Sequence, residues 1–464
     1  MPTIKNKRQM VDEAEALARS FGCVFYKGSL YIPADYETLD WNPAPAPDRT
    51  MWRQLDKELL MRVARTQFDT VFSNEADVEQ FRFMVEQAAT QQKQASSLLL
   101  IRTDLGLREL GNDGVLRKPV GKFVPNLIPV MLNRDASLHQ RVMDVLTEWL
   151  DSEEEALSLL RHLATSLAPG WSAVRYVLLL GDGRNGKSVL MQMMQELFGR
   201  NNVSHVSRQD ISNGSPVVTE LNGKLLNIIF DGVAIFLRDS GHEKSLVAGE
   251  EVGVRMLYRS SLTPVQTNAL FIEGLNREPK SSDKSSALQE RLVRFWFKNT
   301  YEDDLVFKEE MLSEEILGAL LALLIENYVR KEDKSVMLAS TSESKRLKLE
   351  HMTSNSLAMQ YLEYLIETDN PNLLIGKPLS ELTEEFRRWR LKDGDMSVWT
   401  RDGVRAQFKT VMEFKRKSAR VNGAVMKIVV VDAFKKQALE LIDGLTKQEE
   451  VISELVGEGE VQQE

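Results

Sequence analysis

The spacing of apolar residues changes several times along this chain of 464 residues. Alternating apolar and polar positions over Cys23–Ile32 predict a short β-hairpin near the amino terminus. Helical spacing follows at Trp52–Phe72, at Ala76–Gln91 and over Leu138–Leu167, where it is interrupted near Asp151. The first part of the chain is therefore predicted to be a mainly α-helical region with one small strand pair.

A different pattern begins at residue 174, where short apolar runs alternate with helical segments as far as about residue 300. The runs Val174–Leu180, Leu225–Phe230 and Ala269–Ile272 have the length and composition of buried strands. Alternation of this kind predicts an α/β core. Helical spacing dominates again over Glu302–Asn327.

A glycine-rich segment, Gly181–Ser188, separates the first of these strands from a helical stretch and has the sequence GDGRNGKS. It matches G-x-x-x-x-G-K-S in the strand, loop and helix order that a phosphate-binding loop requires. In such a loop the backbone N–H groups surround the phosphates, Lys187 reaches the β- and γ-phosphates, and Ser188 binds Mg²⁺. A chance match is the alternative. The predicted nucleotide-binding residues are Gly181, Gly183, Asn185, Gly186, Lys187, Ser188 and Val189.

Polar residues at the ends of the next two strands fit the same site. Asp231 is predicted to position Mg²⁺, and the alternative is an acid that merely ends a strand. Asn276 is predicted to hold the attacking water, and the alternative is an ordinary turn residue. Gly232 stands where many ATPases carry a second acid. The candidates for that acid are Asp231 itself, Glu220, Asp239 and Glu250.

Two arginines follow in the segment LQERLVRFWF, residues 288–297. Arg291 is predicted to enter the ATP site of a neighbouring subunit, where it would neutralise charge in the transition state. An ordinary surface ion pair is the alternative, and for Arg294 that alternative is favoured.

The carboxy-terminal stretch has the element order of a winged helix. The predicted elements are helix Leu357–Glu367, strand Leu373–Ile375, helices Leu379–Trp389 and Arg401–Met412, and a hairpin of Ala419–Asn422 with Ala424–Val431. From residue 401 to residue 427 there are eight basic and two acidic residues. The predicted DNA contacts are Arg401, Arg405, Lys409, Lys415, Arg416 and Lys417. The alternative is a solvated face on a protein-binding winged helix.

Composition limits the cellular setting. The net charge of -9 excludes a protein that is basic overall, but DNA binding needs only a local basic surface. A single cysteine, Cys23, excludes internal disulfides and suits a reducing compartment. We expect a soluble cytoplasmic protein with no membrane partner, because no signal peptide and no run of about 18 apolar residues is present.

The order of these parts resembles the superfamily 3 helicases, which are hexameric AAA+ motors of viruses and plasmids. It is most similar to the helicase half of phage, plasmid and poxvirus primase–helicases. The segments that carry the resemblance are GDGRNGKS (181–188), LNGKLLNIIFD (221–231), LVAGEEVGVRMLYRS (246–260), FIEGLN (271–276) and SSALQERLVRFWF (285–297). The resemblance is good over about 150–300 and weaker over about 1–150, and Gly232 departs from the acidic pair usual in the family.

The resemblance implies a β-hairpin that enters the channel of the hexamer and contacts DNA. Here it would lie within Val254–Thr267, and the residues assigned to DNA are Arg255, Tyr258, Arg259 and Ser260. A basic residue beside an aromatic one suits phosphate contact and base stacking. A plain surface hairpin is the alternative. The resemblance also implies that Asn276 senses the γ-phosphate and that Arg291 is the arginine finger.

The predicted function is an ATP-dependent, homohexameric replicative DNA helicase of phage or plasmid type, acting in the host cytoplasm if phage-encoded. ATP and Mg²⁺ are the expected cofactors, and single-stranded or forked DNA, with a separate primase or other replication proteins, are the expected partners. The alternative is a non-unwinding AAA+ ATPase, such as a helicase loader or origin-binding switch, which the missing second acid favours. A small-metabolite kinase is a third hypothesis that leaves the basic segments without a use.

The predicted fold is an α/β P-loop AAA+ core with an α-helical amino-terminal region and a carboxy-terminal winged-helix-like domain. The predicted segments are a mixed α/β accessory region (1–135), a helical collar (136–172), the AAA+ motor (173–330), a linker (331–353), the winged-helix-like DNA-binding domain (354–444) and an acidic tail (445–464).

Overall fold

The structure is a computed structural model whose described residues form two compact units, Met1–Thr341 and Ser342–Glu464. It describes residues 7–26, 29–35, 50–68, 72–91, 99–119, 123–230, 232, 241–255, 262–276, 290–354, 356–368, 374–392, 399–409, 411–421, 424–435, 438–439 and 442. Each unit has its own apolar core, since the buried clusters of the second unit lie entirely within its own residues.

The amino-terminal part of the first unit mixes helices with two small sheets. Its elements are α1 (Lys7–Ser20), β1 (Val24–Tyr26), β2 (Ser29–Asp35), β3 (Thr50–Gln54), α2 (Lys57–Phe68), α3 (Glu75–Ala88), β4 (Thr90–Gln91), β5 (Leu99–Thr103), β6 (Gly106–Leu110), β7 (Leu116–Arg117) and β8 (Leu127–Met131). The strand orders are β3-β2-β1-β4 and β7-β6-β5-β8.

These sheets contain more strands than the one pair predicted for the mixed α/β region of residues 1–135. The predicted hairpin is confirmed, because β1 pairs antiparallel with β2. The helix predicted from Trp52 begins only at Lys57, since Trp52 lies in β3 and pairs with Pro33 of β2. The second sheet was not predicted at all, because its strands are short and one of them, β8, pairs with a strand distant along the chain.

The rest of the first unit is an α/β core. Its elements are α4 (Ala136–Leu150), α5 (Glu153–Ala164), β9 (Tyr176–Leu180), α6 (Lys187–Phe198), β10 (Val203–Ser204), α7 (Arg208–Asn213), β11 (Leu226–Ile229), α8 (Gly241–Val247), β12 (Val252–Arg255), β13 (Leu262–Val265), β14 (Leu270–Leu275), β15 (Leu292–Trp296), α9 (Leu305–Met311), α10 (Glu314–Glu326) and α11 (Lys334–Met337). Five strands form a parallel sheet in the order β10-β11-β14-β9-β15.

Both faces of this sheet are buried. Alternate side chains of a strand point to opposite faces, so Leu179 and Leu178 of β9 enter different cores. Leu179 packs in a cluster with residues of α4, α5, α6 and α10, whereas Leu178 packs with residues of α7, α8 and the β12–β13 pair. Burying one leucine side chain stabilises a fold by about 1.5–3 kcal/mol, so apolar runs such as that of β9 are confined to the sheet interior.

The predicted interruption near Asp151 is confirmed and directs the chain back toward the sheet. Asp151 has φ +57° and ends α4. The Ser152 hydroxyl then accepts a hydrogen bond of 3.3 Å from the backbone N–H of Glu155 at the start of α5. Side-chain capping of this kind favours a helix start at this position.

The second unit contains helices followed by a two-stranded ribbon. Its elements are α12 (Ser342–Ser354), α13 (Leu357–Thr368), α14 (Leu379–Lys392), α15 (Arg401–Phe408), β16 (Met412–Val421) and β17 (Ala424–Phe434). Pro378 forms an isolated antiparallel bridge with Val430 of β17. None of the helices in the described ranges of either unit is long and apolar enough to cross a bilayer.

Two predicted boundaries in this unit are wrong. The helix predicted to reach Met412 ends at Phe408, and the first strand starts at Met412 rather than Ala419. Met412 is buried and Phe414 packs against the same core, so the apolar period there is two residues and the chain is extended. Leu374 and Ile375, predicted as part of a short strand, are not in a strand, and Leu373 lies outside the described residues. The turn at residues 422–423 lies outside the described residues.

Alanine at Gly318 in α10 is predicted to destabilise the first unit. Its Cβ would lie 2.4 Å from the backbone oxygen of Met131 and 2.9 Å from Cβ of Asn133. A helical Gly→Ala change ordinarily stabilises by about 0.5–1 kcal/mol, whereas overpacking costs about 1–3 kcal/mol. Urea denaturation should therefore give a lower free energy of unfolding for Gly318→Ala. A value equal to or above that of the wild type would contradict this packing.

Candidate functional site

A cavity of about 1120 Å³ opens at the carboxyl edge of the parallel sheet. Its lining includes Trp149, Gly183, Asn185, Gly186, Lys187, Ser188, Val189, Gly232, Asn276, Tyr301 and Phe307. The carboxyl ends of parallel strands are a frequent site of ligand binding in α/β folds. The cavity thus brings together the glycine-rich loop and residues from several later elements.

The loop between β9 and α6 depends on glycine at its last position. Gly181, Gly183 and Gly186 all have left-handed backbone angles, with φ of +151°, +106° and +89°. At Gly186 a Cβ would also lie 2.4 Å from Cε2 of Trp149. The Trp149 ring therefore packs directly on the backbone where α6 begins.

Lys187 lies buried beneath the loop with its ammonium group held by neutral oxygens. Its Nζ donates to the backbone oxygen of Gly181 at 2.7 Å and to Oδ1 of Asn185 at 2.9 Å. Asn185 in turn donates through Nδ2 to the backbone oxygen of Phe297 at 3.2 Å. Burial lowers the pKa of Lys187, and the nearby charge of Asp182 opposes that shift. An ammonium has three N–H donors, so one remains after these two bonds.

The first turn of α6 has uncapped N–H groups. Gly186 is the N-cap residue, and it makes no side-chain cap hydrogen bond. The first N–H groups of a helix have no partner within the helix and attract anions, as does the positive end of the helix dipole. Ser188 is exposed and lines the cavity beside this turn. Val189 also lines the cavity.

Strand β14 brings Asn276 to the same edge. Leu275 pairs with Leu180 in parallel register, so the next residues, Asn276 and Gly181, leave the sheet side by side. Asn276 is exposed and lines the cavity. Neighbouring strands lie about 4.8 Å apart, which puts the predicted sensor next to the loop.

Asp231 lies outside the described residues, but both of its chain neighbours line the cavity. These neighbours are Phe230 and Gly232. The backbone N–H of Gly232 donates to the backbone oxygen of Gly274 at 3.0 Å, which extends the contact between β11 and β14. The predicted Mg²⁺ acid thus stays a prediction.

Arg291 lies at the opposite edge of the sheet from the loop of its own chain. Its backbone oxygen accepts a hydrogen bond of 2.9 Å from the N–H of Tyr176, the first residue of β9. The five residues of β9 span about 16 Å, because a parallel strand rises about 3.3 Å per residue. Arg294 is fully buried within β15, so the surface ion pair favoured for it from the sequence is wrong.

Two walls of the cavity were not predicted from the sequence. One is the end of α4, where Trp149 packs on the loop, and the other is the segment from Tyr301 to Lys308. The N–H of Tyr301 donates to the backbone oxygen of Arg184 at 2.7 Å, which ties this segment to the loop. Phe307 contacts Trp149 edge to face with ring centroids 6.3 Å apart. No sequence motif identifies these residues, because packing distant in sequence brings them to the site.

The predicted DNA-binding hairpin is described only at its base. β12 pairs antiparallel with β13, from Val252 with Val265 to Arg255 with Leu262. Arg255 is exposed. Tyr258, Arg259 and Ser260 lie outside the described residues.

The basic residues predicted to contact DNA around α15 differ in their exposure. Arg401 and Lys409 are exposed, whereas Arg405 is half-buried with its guanidinium 5.9 Å from the ring of Phe414. Lys409 follows the end of α15 as its C-cap residue, because the helix is shorter than predicted.

Strand β16 carries three consecutive exposed basic residues, which are Lys415, Arg416 and Lys417. Lys415 forms an ion pair with Asp432 of β17. Consecutive residues of a strand point to opposite faces, so these three side chains are divided between both faces of the ribbon.

No protein-family model matches this chain, and no curated protein matches its sequence significantly. Among solved structures, an A-form apo structure of the NrS-1 C-terminal region is similar at 12% identity and a TM-score of 0.49, over 90% of this chain and 97% of that chain. An A-form apo structure titled as residues 305–718 of NrS-1 has 13% identity and a TM-score of 0.48, covering 91% and 99%. An apo structure of the same region has 13% identity and a TM-score of 0.46, covering 92% and 100%.

The contact of Gly186 with Trp149 predicts a difference between two alanine substitutions in the loop. Positions 186 and 183 both have left-handed backbone angles, but no atom of the described residues lies within 4 Å of a Cβ at Gly183. Gly186→Ala should therefore raise the dissociation constant of a fluorescent ATP analogue about tenfold or more above that of Gly183→Ala. This factor corresponds to a difference of about 1.4 kcal/mol in binding free energy. Equal losses would show that Trp149 does not support the loop.

Proposed function

We propose that the cavity binds ATP with Mg²⁺ and that the chain is an ATP-driven replicative DNA helicase acting as a homohexamer. The observation that carries the nucleotide assignment is the buried ammonium of Lys187. Both of its described hydrogen bonds go to neutral oxygens, so no carboxylate of the described residues hydrogen-bonds the ammonium, although the charge of Asp182 lies nearby. A triphosphate would supply the missing negative charge.

The remaining residues of the edge fit a magnesium nucleotide. The uncapped N–H groups of α6 suit the β-phosphate, and the Ser188 hydroxyl suits Mg²⁺. Asp231, between two cavity-lining residues, would complete the metal site through bound water. Asn276 would hold the attacking water near the γ-phosphate, because its strand ends beside the loop. Mg²⁺ neutralises charge on the phosphates as the terminal phosphoryl group is transferred.

The position of Arg291 favours a site shared between subunits. It lies across the sheet from the loop of its own chain and so is far from the phosphates bound there. In a ring of identical subunits, the edge that carries Arg291 would face the neighbour's cavity. An arginine supplied in this way can accelerate hydrolysis by about 10³–10⁵. We therefore propose that hydrolysis requires assembly.

DNA would be contacted by two separate basic regions. The first is the β12–β13 hairpin, with exposed Arg255 at its base and Tyr258, Arg259 and Ser260 in its predicted tip. The second is the ribbon of the second unit, where Lys415, Arg416 and Lys417 are exposed together with Arg401 and Lys409 of the preceding helix. Arg405 is a weaker candidate, because its guanidinium packs on Phe414. A separate primase would be a natural partner for such a helicase.

One observation favours a second candidate function. Gly232 provides no second acid directly after Asp231. An ATPase that hydrolyses slowly would suit a helicase loader or an origin-bound switch, which needs to bind ATP more than to turn it over rapidly. The two functions share the cavity and differ in whether hydrolysis moves DNA strands.

The helicase proposal predicts ATP hydrolysis that single-stranded DNA stimulates, together with ATP-dependent displacement of a strand from forked DNA. Lys187→Ala should abolish both activities, because the charge that binds the phosphates is removed. Phosphate release and strand displacement measured on the same preparations test this. Hydrolysis without any strand displacement would favour the loader or switch. Full hydrolysis by Lys187→Ala would contradict the nucleotide site itself.

A site shared between subunits predicts that a variant subunit lowers the activity of its wild-type neighbours. When Arg291→Ala protein is mixed with wild type, hydrolysis should fall faster than the wild-type fraction, since each variant subunit disables its neighbour's site. A series of mixing ratios at constant total protein measures this. Activity that simply follows the wild-type fraction would show that Arg291 does not act in trans.

A further inference from the structure

Gly232 is glycine for a reason other than backbone conformation. Its φ lies outside the left-handed region, so an L-residue could adopt the same backbone. A Cβ at this position would, however, lie 2.3 Å from Oε1 and 2.8 Å from Cδ of Glu273, and 2.5 Å from Cδ2 of Leu275. The carboxylate of Glu273 and the Leu275 side chain, both from the neighbouring strand, therefore occupy the space where a side chain at residue 232 would begin.

Glu273 is held firmly in that space. It lies in β14 and is 2% exposed. The phenol of Tyr176 donates to its Oε2 at 3.0 Å, and Nη1 of Arg208 lies 3.5 Å from the same oxygen. Burial, with the charge of Glu273, raises the pKa of Tyr176 well above its usual value, so the phenol keeps its proton and remains a donor.

The guanidinium of Arg208 also holds a second carboxylate. Its Nε and Nη2 lie 3.0 and 2.9 Å from Oε1 of Glu243 in α8. Burial alone would lower the pKa of Arg208, but Glu243, Tyr176 and Glu273 together raise it above its ordinary value. Glu243 and Glu273 thus share one buried cation, but only Glu273 meets the position of Gly232.

The carboxylate of Glu273 lies directly behind the cavity wall. Gly232 lines the cavity, and Glu273 precedes the cavity-lining residues Gly274, Leu275 and Asn276. Buried negative charge acts strongly over short distances, because little water screens it. With no side chain at residue 232, this carboxylate lies against the backbone of Gly232 and beside the Leu275 side chain, at the edge that would bind the γ-phosphate.

We propose that Glu273 is the second acidic residue of the site, replacing the acid that is absent at Gly232. Its role is that of a positioning residue: its charge orients the attacking water with hydrogens toward the carboxylate and oxygen toward the γ-phosphorus. This inference rests on the proposed ATP hydrolysis. Glu273 was not among the candidates that the sequence offered for the second acid, which are Asp231, Glu220, Asp239 and Glu250.

The reaction leaves Glu273 unchanged. The water oxygen forms a bond to the γ-phosphorus while the bond from that phosphorus to the β–γ bridging oxygen breaks, and ADP leaves with the bonding electron pair. One proton of the water stays on the released phosphate, and the other passes to solvent.

Replacing Glu273 and Glu243 separately tests the proposal with a matched control. Glu273→Gln keeps the shape but removes the charge behind Gly232, and should lower kcat on the order of 100-fold with little change in nucleotide affinity. Glu243→Gln removes a charge from the same buried cluster and should change kcat far less. The measurements are steady-state phosphate release at saturating MgATP, titration with a fluorescent ATP analogue, and melting temperature.

The outcomes separate this inference from the proposed function. Wild-type hydrolysis with undiminished kcat in Glu273→Gln would overturn the inference alone. Equal losses of kcat in both variants would also overturn it, because they would reveal a merely structural cluster. A wild-type protein that never hydrolyses ATP would overturn the proposed function and this inference with it.

Two further variants keep the test decisive if Glu273→Gln fails to fold. Gly232→Ala would press a methyl group against the carboxylate and should lower kcat, and an unchanged kcat would overturn the inference. Gly232→Glu combined with Glu273→Ala moves the acid to the adjacent strand. Turnover by this double variant should exceed that of Glu273→Ala, and the absence of any recovery would count against the carboxylate's role.

Discussion

Strand β14 is paired on both edges, in parallel register with β9 from Phe271 to Leu275 and with β11 from Leu270 to Glu273. A shift by one residue would exchange the side chains of the two faces. The apolar residues of β14 are divided between the two cores of the sheet, so such a shift would expose both. This register fixes where the loop, Asn276 and Gly232 leave the sheet, and the geometry of the candidate site depends on it.

Local patterns in the sequence predict the parts of the site that follow one another along the chain. The strand before Gly181, the loop and the helix from Lys187 are predicted correctly, because glycine spacing and apolar periodicity act within a few residues. Trp149 and Phe307 were missed, because only tertiary packing brings α4 and α9 to the loop. Apart from the β1–β2 hairpin, the strands of the amino-terminal sheets were missed, since short strands are weak signals until they pair.

Close approaches help to explain two of the glycines, in addition to the left-handed backbone angle at Gly186. Trp149 leaves no room for a side chain at Gly186, and Glu273 leaves none at Gly232. Position 232 illustrates the difference between sequence and structure. In the sequence Gly232 is only a missing acid, whereas in the structure an acid from the next strand fills the same place. Lys187 is thus buried in the loop, and the buried carboxylate of Glu273 lies against Gly232 of the cavity lining.

Electron microscopy of the full chain with Mg²⁺, a non-hydrolysable ATP analogue and forked DNA tests the central claim most directly. The account predicts closed rings of six subunits, with nucleotide at each glycine-rich loop, Arg291 of the next subunit near its γ-phosphate, and one DNA strand in the channel. Single subunits with no nucleotide at the loop under the same conditions would contradict it.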